Sequence, residues 1–231
     1  SIFIFKDIAM TDIAVLIPCY NEAAAIAAVV RQAKAALPDA TVYVYDNAST
    51  DKTADIAAQA GAVVRSVLAR GKGSVVRQMF KDIDADIYIL TDGDSTYDLS
   101  RAPDLIKKLT ENSLQMVVGT RVHADKAAYR SGHCFGNKAL TGLVRFLFGT
   151  KTRDMLSGFR AFTKEFVKSF PAKSNGFELE PKLTVFAARN KLPVGEIETA
   201  YFARPQGSVS KLSTYKDGMK ILAMIFRLFL H

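Results

Sequence analysis

The stretch IYILTDGDSTYD, residues 87–98, places two carboxylates directly after a short apolar strand. Residues 86–91 are predicted to form that strand, and Asp92, Gly93 and Asp94 follow where it ends. In an open α/β sheet, ligands bind at the carboxyl ends of the strands. Because Mg²⁺ is commonly held by one or two carboxylates and substrate phosphates, the pattern predicts a site for a divalent cation and a phosphate-bearing ligand. A plain turn is the alternative, since Asp and Gly also favour turns.

The first half of the chain alternates predicted strands with predicted helices. The strands are expected at residues 13–18, 41–45, 62–66, 86–91 and 115–119, and the helices at 22–37, 51–60, 74–83 and from Ser100, a predicted N-cap, onward. This alternation predicts an α/β fold with a largely parallel sheet, helices on both faces and right-handed crossovers. A Gly-x-Gly-x-x-Gly motif does not follow the first strand, which argues against a standard dinucleotide-binding fold.

The bulk composition predicts one large domain and excludes wholesale disorder. Of the 231 residues, 49% are hydrophobic and 23% are charged, which is ordinary for a globular protein. Cys19 and Cys134 show neither metal-ligand spacing nor a disulfide framework, so reduced thiols are expected. No apolar run reaches the roughly 18–20 residues that a membrane-spanning helix needs.

The basic charge is concentrated in the C-terminal half. The formal net charge is +8, and the basic excess lies in residues 121–160 and 204–231. Such segments suit nucleic acid, an anionic membrane surface or a phosphorylated substrate. No nucleic-acid-binding motif accompanies them, so no nucleic-acid partner is expected. Residues 139–148 and 219–230 are apolar helices that belong either to the core or, with their basic flanks, to a membrane interface.

Polar motifs follow four of the predicted strands. They are PCYNE at 18–22, DNASTD at 46–51, TDGD at 91–94 and GTR at 119–121. Together they predict a nucleotide site at one edge of the sheet. In this order the motifs resemble the inverting family 2 glycosyltransferases, which have the GT-A fold, and the resemblance covers residues 13–220.

The C-terminal motifs narrow the resemblance. They are DMLSGFR at 154–160, GFELE at 176–180, GEI at 195–197 and RPQGSVSKL at 204–212, and they resemble the dolichol-phosphate mannose synthase and polyprenyl-phosphate glycosyltransferase branch. Two positions depart from the pattern: Thr96 stands where the branch often has Gln, and Asn47 where a second Asp is usual.

The sequence and the resemblance together predict an organisation in three parts. Residues 1–9 are expected to be an N-terminal extension or an expression remnant, with Met10 as the natural start. Residues 10–215 are expected to form a Rossmann-like GT-A domain with a mostly parallel sheet. Residues 216–231 are expected to form an amphipathic membrane-interface helix that leads to a membrane anchor.

The resemblance also implies a nucleotide-sugar site. The residues expected to bind the donor are Pro18, Tyr20, Glu22, Asp46, Asn47, Asp92, Gly93, Asp94 and Arg121. The first three are expected to contact the base and ribose, and Asp46 and Asn47 to read the base edge. Asp92 and Asp94 are expected to hold Mg²⁺ or Mn²⁺ against the diphosphate, because a metal neutralises the charge that builds on the leaving group.

The catalytic and acceptor residues are implied in the same way. The expected catalytic set is Asp92, Asp94, Arg121, Arg204 and Lys211, and the residues expected to bind a lipid phosphate are Arg130, Lys138, Arg204, Ser210 and Lys211. Lys211 is expected to close over the site on a mobile loop. A polyprenyl phosphate is already ionised at pH 7 and attacks without a general base; Glu178 and Glu180 are the fallback bases for a hydroxyl acceptor.

The resemblance therefore implies an enzyme that transfers a hexose from a GDP- or UDP-linked donor to dolichyl or undecaprenyl phosphate, with inversion. It is expected at the cytoplasmic face of a membrane, bound peripherally or anchored by a segment absent from this chain. The alternatives are a polysaccharide-building glycosyltransferase that acts on a sugar hydroxyl, a nucleotidyltransferase, and a non-catalytic module that binds sugar nucleotides.

Overall fold

A computed structural model describes residues 11–123, 131–171, 178–209, 211 and 214–230. In these ranges seven strands form one sheet: β1 (Ile13–Cys19), β2 (Thr41–Asp46), β3 (Val63–Ser66), β4 (Ile87–Leu90), β5 (Met116–His123), β6 (Arg160–Thr163) and β7 (Val194–Tyr201). The helices there are α1 (Ile26–Ala36), α2 (Thr53–Gln59), α3 (Lys72–Asp82), α4 (Ala102–Glu111), α5 (Ser131–Phe148), α6 (Lys164–Ser169), α7 (Leu179–Arg189) and α8 (Thr214–Leu230).

The sheet is mostly parallel, as predicted. Its strand order is β3-β2-β1-β4-β6-β5-β7. The pairs β1–β2, β1–β4, β2–β3 and β5–β7 are parallel. The exception is β6, which lies antiparallel between β4 and β5. The predicted α/β class is therefore confirmed, while β6 and β7 extend the sheet beyond the five strands expected from the sequence.

Helices cover both faces of the sheet because alternate strand residues point to opposite sides. Leu16 and Leu90 belong to an apolar cluster shared with α3, α6 and α7. Ile17 and Ile89 belong to a second cluster shared with α1, α2 and α4. The buried strands thus present apolar side chains on both faces, which is typical of parallel sheets covered by helices.

The C-terminal helices form a third apolar cluster. Val144 of α5, Val185 of α7 and Ile221 and Ile225 of α8 are buried together, and Leu140, Leu143, Leu147 and Phe148 pack around them. Phe146 points away from the cluster and is 86% exposed. The apolar face predicted for residues 139–148 therefore packs in the protein core, so of the two alternatives left open by the sequence the structure favours the core for this face. Among the described helices none is long and apolar enough to cross a membrane.

The helix beginning expected at Ser100 is also corrected. The carboxylate of Asp98 accepts a hydrogen bond from the backbone N–H of Ser100 and caps a 3₁₀ turn, Leu99–Arg101. Helix α4 begins after this turn, at Ala102, with Pro103 in its first turn. Asp98 is the better cap because a carboxylate there accepts from a free N–H of the first turn.

Candidate active site

Polar segments meet at the edge of the sheet where β1, β2 and β4 end, since these strands are parallel. A Cβ on Gly93 would overlap the Sγ of Cys19, the last residue of β1. Only glycine therefore allows the turn after β4 to approach β1 so closely. This approach places Asp92 and Asp94 beside the end of β1.

Asp94 is buried and held by two side chains. The Thr96 hydroxyl donates to Asp94 Oδ1 at 2.7 Å, and an Arg204 Nη atom lies 2.5 Å from Asp94 Oδ2. Burial, followed by the charge of the nearby Asp92, raises the pKa of Asp94 above its ordinary value. Thr96, which departs from the family pattern, thus orients this carboxylate through its hydroxyl group.

Asp92 is held by a buried lysine that sequence reasoning missed. Lys72, the first residue of α3, pairs with Asp92 Oδ1, and its Nζ lies 2.5 Å from Glu180 Oε1 in the first turn of α7. Burial lowers the pKa of Lys72, but the carboxylates of Asp92 and Glu180 outweigh burial and raise it above its ordinary value. The lysine therefore stays charged between two carboxylates.

The pair Asp92 and Asp94 fits a hard divalent cation. A Cβ on Gly158 would lie 2.8 Å from Asp92 Oδ2, so glycine leaves open the space beside this oxygen. Among the described residues no group of three or more His, Cys, Asp or Glu side chains could hold a metal ion. A cation held by these two carboxylates would leave ligand positions for the phosphates of a substrate, as is usual for Mg²⁺.

Glu22 brings the segment after β7 to the same edge. Its carboxylate accepts hydrogen bonds from Lys211 Nζ at 2.5 Å and from Ser208 Oγ at 2.8 Å. Arg204 approaches Glu22 at 3.5 Å, and Lys211 Nζ also donates to the backbone oxygen of Asn21 at 2.8 Å. The structure therefore unites three residues of the predicted set, Glu22, Arg204 and Lys211, in one network.

The residues predicted to bind the base and ribose lie around the ends of β1 and β2. Pro18 is buried in β1, where it pairs with Tyr45 of β2. The guanidinium carbon of Arg70 lies 4.7 Å from the ring centroid of Tyr20. Asp46 accepts hydrogen bonds from the backbone N–H and the hydroxyl of Ser49.

Asn47 supports the loop that leads to Lys72. Its Nδ2 donates to the backbone oxygens of Val67 and Ala69 at 2.8 and 2.9 Å, and its Oδ1 accepts from the N–H of Gly71 at 2.8 Å. Gly71 has φ 105°, in the left-handed region that favours glycine. The Asn at this position therefore fixes the start of α3, and its reading of a base edge stays a prediction.

Arg121 is engaged by a partner that the sequence did not reveal. Its guanidinium binds both carboxylate oxygens of Asp154, at 2.7 and 2.8 Å, and its guanidinium carbon lies 5.3 Å from the ring centroid of Tyr201. Asn137 of α5 donates to the same carboxylate at 2.8 Å. Burial raises the pKa of Asp154, but Arg121 outweighs burial and the pKa lies below its ordinary value.

The residues predicted to bind a lipid phosphate are only partly described. Lys138 is exposed on α5, Arg204 and Lys211 lie in the network around Glu22, and Arg130 and Ser210 lie outside the described residues. The signals for the missed residues were weak: Lys72 follows a glycine that opens a helix, and Asp154 opens the motif DMLSGFR.

Comparison with known proteins identifies the protein family of this chain. Residues 14–170 match the model of glycosyl transferase family 2. The chain belongs to this family. It is 56% identical to the protein RfbJ of Shigella flexneri over 53% of this chain and 95% of that protein, and 35% identical to the glycosyltransferase AglJ of Haloferax volcanii over 93% and 71%. A dolichyl-phosphate hexose transferase of Haloferax volcanii is 26% identical over 91% and 90%.

A solved structure shares the fold of this glycosyltransferase. The glucosyl-3-phosphoglycerate synthase of Mycobacterium tuberculosis, in complex with Mn²⁺, UDP-glucose and phosphoglyceric acid, superposes with a TM-score of 0.78 at 22% identity, over 96% of this chain and 80% of that one. The predicted GT-A fold, family and enzyme class are thereby confirmed. Membership in the family also sets aside the nucleotidyltransferase and the non-catalytic module.

Proposed function

We propose that this glycosyltransferase moves a hexose from a GDP- or UDP-linked donor to a polyprenyl phosphate, dolichyl or undecaprenyl, with inversion at the anomeric carbon. The dolichyl-phosphate hexose transferase of Haloferax volcanii, which aligns over nearly its whole length, supports this acceptor class. The fold neighbour carries a nucleotide sugar and Mn²⁺, which supports a donor of this kind and a divalent cation, Mg²⁺ or Mn²⁺.

The observation that carries the proposal is that three carboxylates of the candidate site are paired with cations. Glu180 binds Lys72, and Glu22 binds Lys211; Asp154 binds Arg121 in the same way. A hydroxyl acceptor requires a general base to take its proton, and a carboxylate that is paired with a cation is a weak base. A phosphate acceptor requires none, because it is already ionised.

The proposed reaction moves no proton at the anomeric carbon. A phosphate oxygen of the acceptor forms the new bond to this carbon while the bond to the nucleoside diphosphate breaks. A cation on Asp92 and Asp94 would neutralise the charge that builds on the leaving diphosphate. Arg204 and Lys211 lie at the same edge and supply further positive charge, since Arg suits the geometry of phosphate oxygens.

We also propose that α8 rests on an anionic membrane surface, which would keep the enzyme at the cytoplasmic face, peripherally or with a further anchor. An apolar stripe on one side of this helix is exposed: Met219 (67% exposed), Ala223, Phe226 (48%) and Leu230 (77%). Lys220 and Arg227 are exposed on the same helix. Apolar side chains beside basic ones suit an interface with anionic lipids. This stripe differs from the face that packs in the core.

An acceptor competition tests the proposed function. The enzyme is incubated with Mn²⁺, a panel of GDP- and UDP-hexoses and equal amounts of a short polyprenyl phosphate, the corresponding polyprenol and 3-phosphoglycerate. We expect hexose on the polyprenyl phosphate and none on the polyprenol, because the latter offers only a hydroxyl. Faster transfer to a hydroxyl acceptor would favour the polysaccharide-building alternative, and transfer to 3-phosphoglycerate alone would restrict the enzyme to small phosphorylated acceptors.

A further inference from the structure

We propose that Lys72 and Glu180 set the affinity of Asp92 for its divalent cation: Lys72 competes with the cation for this carboxylate, and Glu180 weakens the competition by sharing the ammonium group. Glu180 is then a positioning residue and not a general base. The inference rests on the metal-assisted reaction proposed above and names two residues that regulate its cation site.

The competition follows from where the ammonium group lies. Lys72 Nζ contacts Asp92 Oδ1 on one side and lies 2.5 Å from Glu180 Oε1 on the other. A cation held by Asp92 must share this carboxylate with a positive charge that is already bound. The attraction of Lys72 for Asp92 therefore opposes cation binding, and the attraction of Glu180 for Lys72 favours it.

Rigid elements hold both partners in place. Lys72 is the first residue of α3, where the helix dipole disfavours a cation, so the two carboxylates are what hold its ammonium group in place. Glu180 lies in the first turn of α7, where the dipole favours an anion. A Cβ on Gly158 would lie 3.0 Å from Lys72 Nζ, so only glycine there leaves room for the ammonium group beside Asp92. The ammonium group of Lys72 is therefore placed between the two carboxylates, and removing either charge changes its attraction for the other.

Two substitutions should shift cation affinity in opposite directions. Glu180→Gln removes the competing partner and leaves the whole ammonium charge to Asp92, so cation binding becomes weaker. Lys72→Met removes the competitor at similar side-chain length, so cation binding becomes tighter. A purely structural role would make both variants bind more weakly, because both disturb the same buried cluster.

The experiment is a titration of the full chain with Mn²⁺ alone, in which free Mn²⁺ is measured by electron paramagnetic resonance. We expect Glu180→Gln to raise the Kd for Mn²⁺ about tenfold or more, within the 10–100-fold that partners outside the ligand shell typically contribute. Lys72→Met should lower the Kd. Glu165→Gln is the matched control, since it makes the same change in the first turn of α6, and its Kd should equal that of the wild type.

Either variant alone can overturn the inference. A Kd for Mn²⁺ within twofold of the wild type in Glu180→Gln would contradict the inference, and so would a higher Kd in Lys72→Met. If one variant fails to fold, the other still decides the question. An unchanged Kd with a 10²–10⁴-fold fall in kcat would make Glu180 a general base and would also overturn the proposed function. Failure of the acceptor assay with the expected Kd shifts would overturn the proposed function alone.

Discussion

The two carboxylates of the site, Asp92 and Asp94, are paired with basic side chains that differ in burial and in the kind of element that carries them. Asp92 is paired with Lys72, whose side chain is 13% exposed and begins a helix packed in the core. Asp94 is paired with Arg204, 26% exposed, on the irregular segment after β7 that also carries Lys211. A cation on a packed helix is expected to stay beside its carboxylate, whereas one on a loop can exchange partners, since loops open more easily than core elements. The comparison divides the site into a fixed half, Asp92 with Lys72, and an exchangeable half, Asp94 and Glu22 with Arg204 and Lys211.

The two halves should differ most in how much their basic side chains contribute to the free energy of unfolding. Lys72→Met leaves Asp92 and the buried Glu180 without their shared cation, and we expect a loss of about 3–5 kcal/mol in the free energy of unfolding. Lys211→Met is the matched control on the exchangeable half, where we expect a loss of about 0–1 kcal/mol, because the lysine is partly exposed. Urea unfolding measures both. Equal losses would remove the distinction between the two halves.

Activity should depend on both halves. Asp92→Asn and Asp94→Asn each remove a carboxylate that would hold the cation, and we expect kcat to fall about 10²–10³-fold, comparable to the loss of one key electrostatic group. Steady-state assays with saturating Mn²⁺ check this, with Asp104→Asn on the exposed side of α4 as control. Full wild-type activity in excess EDTA would contradict the metal assignment of both carboxylates.

The ion pair between Asp154 and Arg121 provides a third case, in which the contribution to stability should depend on pH. The pKa of Asp154 lies below its ordinary value because Arg121 outweighs burial. The ionised carboxylate therefore stabilises the folded protein above the unfolded pKa of about 3.9. This stabilisation is lost as the pH falls through the folded pKa. We expect Asp154→Asn to lower stability by about 1.5–3 kcal/mol at pH 7. The difference from wild type should shrink below about pH 4. Urea unfolding at pH 7 and pH 3 measures it, and a constant difference would contradict the assignment.

The smallest expected effect is on vesicle binding by α8. Its exposed face is proposed to contact lipid, whereas its buried face packs in the core. Phe226→Ser with Leu230→Ser should reduce co-sedimentation with anionic vesicles severalfold and leave the fold intact, because these side chains lie outside the core cluster. Binding of the wild type should rise with anionic lipid and fall with salt, since exposed charges are screened. Ile225→Ser is the contrasting variant, because Ile225 is buried and its loss should lower stability instead. Equal binding by the wild type and the double variant would contradict the membrane surface.

Local patterns predicted the fixed scaffold well. The apolar strand before Asp92 and the polar motifs at the ends of β1 and β2 identified the fold and the edge of the sheet that carries the site, whereas the motif at 119–121 lies within β5, which runs on to His123. Strand β6 was missed because it is four residues long and includes the buried Arg160. The apolar face of residues 139–148 was ambiguous, since a core and a membrane both accept such a face.

The pairing of the site could not be predicted from local patterns. Lys72, Asp92 and Glu180 meet only after three separate elements pack together, and no short motif contains two of them. Asp154 and Arg121 are likewise 33 positions apart. Thr96 and Asn47 were recognised as departures from the family pattern, but their hydrogen bonds to Asp94 and to the loop before α3 required the structure.

The most direct test of the central claim is the chemical identity of the product. The lipid product formed from a ¹³C-labelled nucleotide sugar and a short polyprenyl phosphate is examined by ³¹P and ¹³C nuclear magnetic resonance. The account predicts coupling between the anomeric carbon and a single phosphorus, with an anomeric configuration opposite to that of the donor. A product with the donor's configuration, or with the hexose linked to a hydroxyl oxygen without phosphorus coupling, would contradict it.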